Sequence, residues 1–270
     1  MDRLLGLSRE PFAPVADGAL YWESDDRADL RQKLAGALRQ GRSVRLQGPP
    51  GSGRRSLLAR VAGDLAAAPI PVALCEAPHE ATPEAFLSAL GETLGAKAPA
   101  GADLLTLAEH LYRRLVEVFC TARSAVVVLP WVPAGAVAEE IRILAELRLL
   151  GRPLVAVAVL DAPPLASGEF VSFAVPPFTA DDLRDCLSQR CAAVGRADLL
   201  PPAALEACLA APLDLPTALD RARRVLRAQV FAAALGRDAA SLPRSEPPLF
   251  DPTQMQEMRR LLDSLSPDTV

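Results

Sequence analysis

The sequence predicts an α/β fold: a doubly wound parallel sheet of five strands followed by a small all-helical domain. Three observations predict it. Two runs, Ala125 to Leu129 (AVVVL) and Leu154 to Leu160 (LVAVAVL), are apolar throughout, as strands buried on both faces of a parallel sheet must be. Short apolar strands alternate with stretches of helical period, the pattern of βαβ crossovers. After Pro176-Pro177 the strands stop and helical stretches take over.

The elements follow in chain order. Residues 1–24 form an extended, Pro-punctuated leader with Pro11, Phe12 and Pro14 ahead of Tyr21-Trp22. Arg27 to Gln40 carries Leu30, Leu34 and Leu38 at i, i+4, i+8, one face of a helix, with Ser24 or Asp25 placed to cap it. Ser43 to Gln47 is a strand running into a glycine-rich loop, and Leu57, Leu58, Val61 and Leu65 mark the next helix. Ile70 to Cys75 is the second strand. Pro83 opens a helix at its first turn, Phe86, Leu90 and Leu94 line one face, and Gly95 stops it. Leu104 to Val118 and Glu139 to Leu150 are helical. The third strand, Ala125 to Leu129, lies between them. Leu154 to Leu160 and Phe170 to Val175 are the fourth and fifth strands.

Three helices then follow: Ala180–Val194, Pro202–Ala211 and Pro216–Leu235. A Pro-rich linker leads to Gln254–Leu265, an amphipathic helix with Met255, Met258, Leu261, Leu262 and Leu265. The chain thus divides into a leader (1–24), an α/β core (25–177), a helical segment (178–236) and a linker with its terminal helix (237–270).

Composition narrows the class. Half of the 270 residues are apolar but only 4% are aromatic, so the core is built from Leu, Ala and Val. The net charge of −4 argues against a protein whose main business is coating nucleic acid. The five cysteines form no C-x-x-C pair, and with two histidines available no zinc spacing appears. Buried free thiols in a reducing compartment are expected. The opening residues lack the apolar core of a signal peptide, and no apolar run reaches the roughly 18 residues of a membrane span. A soluble, cytoplasmic protein is expected.

The stretch that organises the chain is Gln47-Gly48-Pro49-Pro50-Gly51-Ser52-Gly53-Arg54-Arg55-Ser56. A phosphate-binding P-loop reads G-x-x-x-x-G-K-[ST]. Its backbone N–H groups cradle phosphates, the Lys reaches them, and the hydroxyl holds Mg²⁺. Gly48 and Gly53 have that spacing, and strand, glycine loop and helix give the required context. Arg54 stands at the Lys position and Arg55 at the hydroxyl position, with Ser56 one residue too late.

With this loop go a leader, Gly6-Leu7-Ser8-Arg9-Glu10-Pro11-Phe12, and a junction, Phe173-Ala174-Val175-Pro176-Pro177-Phe178-Thr179, that opens the three helices. Over roughly residues 4–235 the chain resembles the ExeA/GspA-type AAA+ ATPases of bacterial secretion and pilus assembly, and the related TniB/TnsC transposition ATPases. The resemblance implies an AAA+ core with sheet order 5-1-4-3-2, a helical lid, and ATP bound between subunits.

Four departures from that pattern point the same way. Arg54 keeps a charge, but a guanidinium fork does not replace an ammonium, and Arg55 removes the Mg²⁺-ligating hydroxyl. The Walker B strand should end in Asp-Glu, one to hold the metal and one to activate water. Here Pro130-Trp131 stands at that place, and Glu139 and Glu140 fall on the following helix. No Arg or Lys occurs between Arg152 and Arg184, where the family carries its arginine finger. Asp161 falls near the sensor-1 position, where a carboxylate would repel phosphate. The sensor-2 signature reads Asp214-Leu215-Pro216-Thr217, with Thr217 where the arginine belongs.

Losing these parts together leaves no visible route to hydrolysis. No catalytic residue and no metal site is assigned. The cradle could still hold ATP or ADP without Mg²⁺. The resulting expectation is an inactive AAA+ scaffold or regulatory subunit of an envelope secretion or pilus-like assembly. Its partner would be an active AAA+ paralogue or an envelope-machine subunit, with membrane association only through that partner. Two alternatives stand beside it. One is a DNA-linked regulator using Arg113-Arg114 or Arg221, Arg223, Arg224 and Arg227 as a basic stripe. The other is an unconventional ATPase completed by a neighbouring subunit.

Overall fold

The computed structural model describes residues 7, 9–13, 20–68, 70–74, 82–122, 125–131, 135–161, 170–211 and 214–234. The linker, the expected helix at Gln254–Leu265, Cys75, His79 and the connection 162–169 lie outside these residues. The chain divides into two units, residues 23–178 and residues 1–22 with 179–270.

The first unit runs α1 (Asp25–Arg39), β1 (Val44–Gln47), α2 (Arg54–Ala66), β2 (Val72–Leu74), α3 (Pro83–Leu94), α4 (Leu104–Ala122), β3 (Ala125–Leu129) and α5 (Gly135–Glu146). It continues with a short hairpin, β4 (Arg148–Leu149) and β5 (Arg152–Pro153), then β6 (Val155–Leu160) and β7 (Val171–Ala174). The main sheet has the order β2-β3-β6-β1-β7, all parallel. Counted over its own five strands in chain order, this is 5-1-4-3-2.

Strand periodicity of two explains the layering. Ala125, Val127 and Leu129 of β3, with Val155, Val157 and Val159 of β6, enter the core layer shared with α3, α4 and α5. Val126 and Val128, with Ala156, Ala158 and Leu160, enter the opposite layer with α1 and α2. Both central strands therefore need apolar residues at every position. The edge strand β7 turns Val171 and Phe173, half-buried, toward the second core layer and exposes Ser172 and Ala174 on its other face.

Local signals set the helix ends. Thr82 caps α3 by accepting from the Ala85 N–H at 3.2 Å, and Gly95 ends it at φ 77°. Ser24 occupies the cap position of α1 without a side-chain cap bond.

One expected helix differs. The helix over 139–150 begins earlier, at Gly135, and ends at Glu146. The chain then reverses through Leu150 (φ 53°) and Gly151 (φ 75°) to pair Leu149 with Arg152. Positive φ at both central residues is the requirement of a tight hairpin turn. Leu147, Leu149 and Leu150, around Arg148, mimic a continuing helix, yet Leu150 is 90% exposed at the turn tip.

The second unit contains leader residues and α6 (Ala180–Ala193), α7 (Pro202–Cys208) and α8 (Leu215–Ala234). A capping box starts α6: Thr179 Oγ1 accepts from the Asp182 N–H, and the Asp182 carboxylate accepts from the Thr179 N–H. Leu183, Leu187 and Cys191 of α6 are buried, as are Ala218, Ala222, Leu226 and Val230 of α8. Both sets recur every four residues, the spacing of one helix face. Among the described residues no helix is long and apolar enough to cross a membrane.

Candidate phosphate-binding site

Because every strand of the main sheet is parallel, the carboxyl ends of β1, β3 and β6 share one edge. Ligands of open α/β sheets bind at that edge. It carries the Gly48–Gly53 loop after β1, Pro130-Trp131 after β3 and Asp161 after β6. Three of the four groups of expected site residues are thus brought to one edge. Thr217 belongs to the helical unit.

Gly48 follows β1 directly. A Cβ there would come within 2.5 Å of the Val175 carbonyl oxygen and 3.1 Å of Ser52 Oγ, so only glycine fits. Gly53 has φ 80° and forms the N-cap of α2, accepting from the Leu57 N–H at 3.0 Å. Pro49 and Pro50 are the first two residues of a turn in which the Ser52 N–H donates to the Pro49 carbonyl at 3.3 Å. Ser52 is 1% exposed, and among the described residues its Oγ has no hydrogen-bond partner.

The helix end is electrostatically open. The N–H groups of Arg54, Arg55 and Ser56 find no acceptor among the described residues, as expected for a first turn lacking a side-chain cap. No acidic residue lies in that turn. Arg54 is half-buried and Arg55 exposed, and neither makes an ion pair with a described residue. Two guanidinium groups therefore sit at the positive end of a helix dipole, where an anion is favoured and a cation is not.

A residue that sequence reasoning passed over holds the loop. Arg27 of α1 is 4% exposed. Its Nη1 donates to the Ser52 carbonyl and its Nη2 to the Pro176 carbonyl, both at 2.8 Å. Its guanidinium lies 3.8 Å from the Phe178 ring centroid, a cation–π distance. The same ring would meet a Cβ on Gly53 at 3.3 Å. The sequence offered one weak signal: Arg27 falls one turn ahead of the apolar stripe of its helix, three residues before Leu30.

The chemistry positions are occupied by groups built into other contacts. Pro130 is half-buried. Trp131 is 8% exposed and meets the Phe86 ring edge-on, with centroids 6.2 Å apart and planes at 77°. Asp161 pairs with Arg45 Nη1 at 3.6 Å, so the carboxylate expected to repel phosphate is partly neutralised. Thr217 closes a cap on α8: its N–H and its Oγ1 each donate to the Asp214 carboxylate at 2.8 Å. Glu139 lies on α5 and is bonded by Arg142 at 2.9 Å, which holds its carboxyl below the ordinary value.

The donor set fits an oxyanion and does not fit Mg²⁺. Among the described residues the N–H groups of Arg54, Arg55 and Ser56 have no acceptor and the Arg54 and Arg55 guanidinium groups no ion-pair partner, while Arg55, Pro130 and Trp131 stand where the resemblance expects metal ligands. Among the described residues no cluster of three or more His, Cys, Asp or Glu could hold a metal.

Sheet order, glycine loop and the helices after β7 together define an AAA+-like fold. Among solved structures the chain is similar to the ORC2 protein of Aeropyrum pernix in ADPNP–ADP complexes, with a TM-score of 0.61 at 15% identity over 97% of this chain and 72% of that one. It is also similar to the A. pernix ORC1 protein in complex with DNA (TM-score 0.60, 19% identity, 93% of this chain and 68% of that one). Cdc6p from Pyrobaculum aerophilum gives a TM-score of 0.61 at 18% identity over 88% of this chain and 67% of that one. At these identities the likeness is one of fold. No family model matches the sequence, and no curated protein matches it.

Proposed function

We propose that this chain is a non-hydrolysing AAA+-like protein, a pseudo-ATPase acting as a scaffold or regulatory subunit through protein contacts. The observation that carries the reading is the use made of the chemistry positions. Trp131 is packed on Phe86, Thr217 is spent on the Asp214 cap, and Arg55 stands where a metal-ligating hydroxyl is needed. The phosphate cradle keeps its shape and its open donors, so ATP or ADP held without Mg²⁺ is the nucleotide state it could offer. The leader and the strand-to-lid junction support an envelope secretion or pilus-like setting, with an active AAA+ paralogue or an envelope-machine subunit as partner.

The basic stripe gives the DNA-linked reading less support. Arg221 donates to the Ala211 carbonyl at 3.0 Å, Arg223 pairs with Glu10 and Arg224 with Asp220. Three of its four charges are thus engaged within the protein.

Calorimetric titration with ATP, with and without Mg²⁺, combined with a turnover assay tests the proposal. Turnover is expected at background in both conditions, and any heat of binding is expected to be the same in EDTA. Mg²⁺-dependent hydrolysis that disappears in Arg54→Ala would overturn it.

A further inference from the structure

We propose that the helical unit carries a docking site for a Glu-Pro-Phe segment, filled here by the chain's own Glu10-Pro11-Phe12 and suited to the same segment of a second copy of this chain. The inference goes beyond the non-hydrolysing reading and does not rest on it.

Arg190 of α6 is 3% exposed. Its Nη1 donates to the Pro11 carbonyl at 3.2 Å and to the Ala13 carbonyl at 3.1 Å, and among the described residues its Nε has no acceptor. No carboxylate of a described residue is paired with it. A buried guanidinium stripped of partners is strongly unfavourable, so α6 carries a cation whose hydrogen bonds come from the leader. Arg223 of α8 repeats the arrangement. Its Nε bonds Glu10 Oε1 at 2.7 Å and its Nη2 the Phe12 carbonyl at 2.6 Å. Two helices thus aim donors at one four-residue segment.

The segment matches those donors. It presents three carbonyls and one carboxylate, and Pro11 has no N–H that would need an acceptor. Phe12 is fully buried, which supplies the apolar anchor. Glu10 keeps 40% of its side-chain surface exposed, so its ion pair with Arg223 lies at the rim and can be altered without uncovering Arg190 or Phe12. A second copy presents the same segment, and exchange between copies conserves every one of these contacts. That makes exchange a low-cost route to association.

Complementary charge reversals test the site. Glu10→Arg and Arg223→Glu chains are prepared full-length, checked for folding by circular dichroism, and measured separately and mixed by light scattering. Each alone is expected to be monomeric, because its own leader and site repel. The mixture is expected to give a species of twice the monomer mass, and the Glu10→Arg/Arg223→Glu double variant to return to the behaviour of the native chain. A mixture of folded single variants that stays monomeric overturns the proposal. Where a reversal costs the fold, Glu10→Ala removes only the rim ion pair and leaves Arg190 and Arg223 in place. A labelled peptide of residues 7–13 is then expected to show raised anisotropy with the full-length Glu10→Ala chain and little with the native one. A flat titration against Glu10→Ala overturns the proposal equally.

Discussion

Arg27 and Ser52 stand 25 residues apart in sequence and are joined by a buried hydrogen bond, Nη1 to carbonyl, of 2.8 Å. Because the same guanidinium also holds the Pro176 carbonyl and stacks on Phe178, one side chain fixes the glycine loop to the end of the sheet. Hydrogen bonds to charged groups are worth about 1.5–3 kcal/mol each, and leaving their partners buried and unpaired adds to the loss. Arg27→Ala is therefore expected to destabilise the protein by about 3 kcal/mol, read as a lower urea midpoint. Arg27→Lys keeps the charge but lacks the fork, so it should recover only part of the loss. A lysine variant as stable as the native chain would show that the bridge does not matter.

Arg54 and Arg55 predict a stability change of unusual sign. Cations in the first turn of a helix oppose its dipole, and replacing one by an anion is worth about 0.3–1 kcal/mol at low salt. Arg55 is exposed and makes no ion pair with a described residue, so Arg55→Glu should raise the melting temperature in phosphate-free buffer. The same change should abolish any stabilisation by added inorganic phosphate or ATP. If Arg55→Glu melts lower than the native chain without phosphate, the arginine serves the fold and not an anion.

Trp131 is expected to resist repair of the chemistry. Truncating a buried Trp costs about 3–5 kcal/mol, and Trp131→Ala should fall in that range by denaturant unfolding. Trp131→Glu would place a carboxylate in the core layer that now holds the indole, so the Pro130→Asp/Trp131→Glu variant is expected to unfold more readily and to gain no turnover. With Trp22 replaced by Phe, the remaining fluorescence should be blue-shifted in the native state and move to the red on unfolding.

Much of the fold was legible because strand and helix periods are local properties. AVVVL and LVAVAVL, short, apolar throughout and rich in Val, read as central strands, and the glycine spacing placed a turn between β1 and α2. The hairpin at Arg148–Pro153 was not legible as such, because Leu147, Leu149 and Leu150 mimic a continuation of α5 and only Gly151 marks the reversal. At the site, the replaced chemistry positions could be read one by one. The long-range arginine contacts, one at the site and one in the helical unit, could not. Arg27 meets Ser52 and Pro176, and Arg190 meets Pro11 across 179 residues. Contacts at that separation leave no periodic trace, and a lone arginine on a helix reads as solvated until its surroundings are known.

The thiols give a pH prediction with a definite sign. Burial pushes the Cys191 thiol up to about 11 from an ordinary 9.0, with the neighbouring Cys208 adding to the rise, and burial likewise raises Cys208 to about 11. In the unfolded chain both lose their protons near the ordinary value. Between about 9 and 11 the folded state therefore binds more protons than the unfolded one, and stability falls as pH rises through that window. Below 9 both states keep the protons and the thiols contribute no slope. Cys186 is buried as well, whereas Cys120 is exposed. At pH 8 a thiol reagent should thus modify Cys120 rapidly in the native protein and leave Cys186, Cys191 and Cys208 protected until denaturant is added. Fast labelling of Cys191 in the native state, read by peptide mass, would contradict the buried placement of α6 against its neighbours.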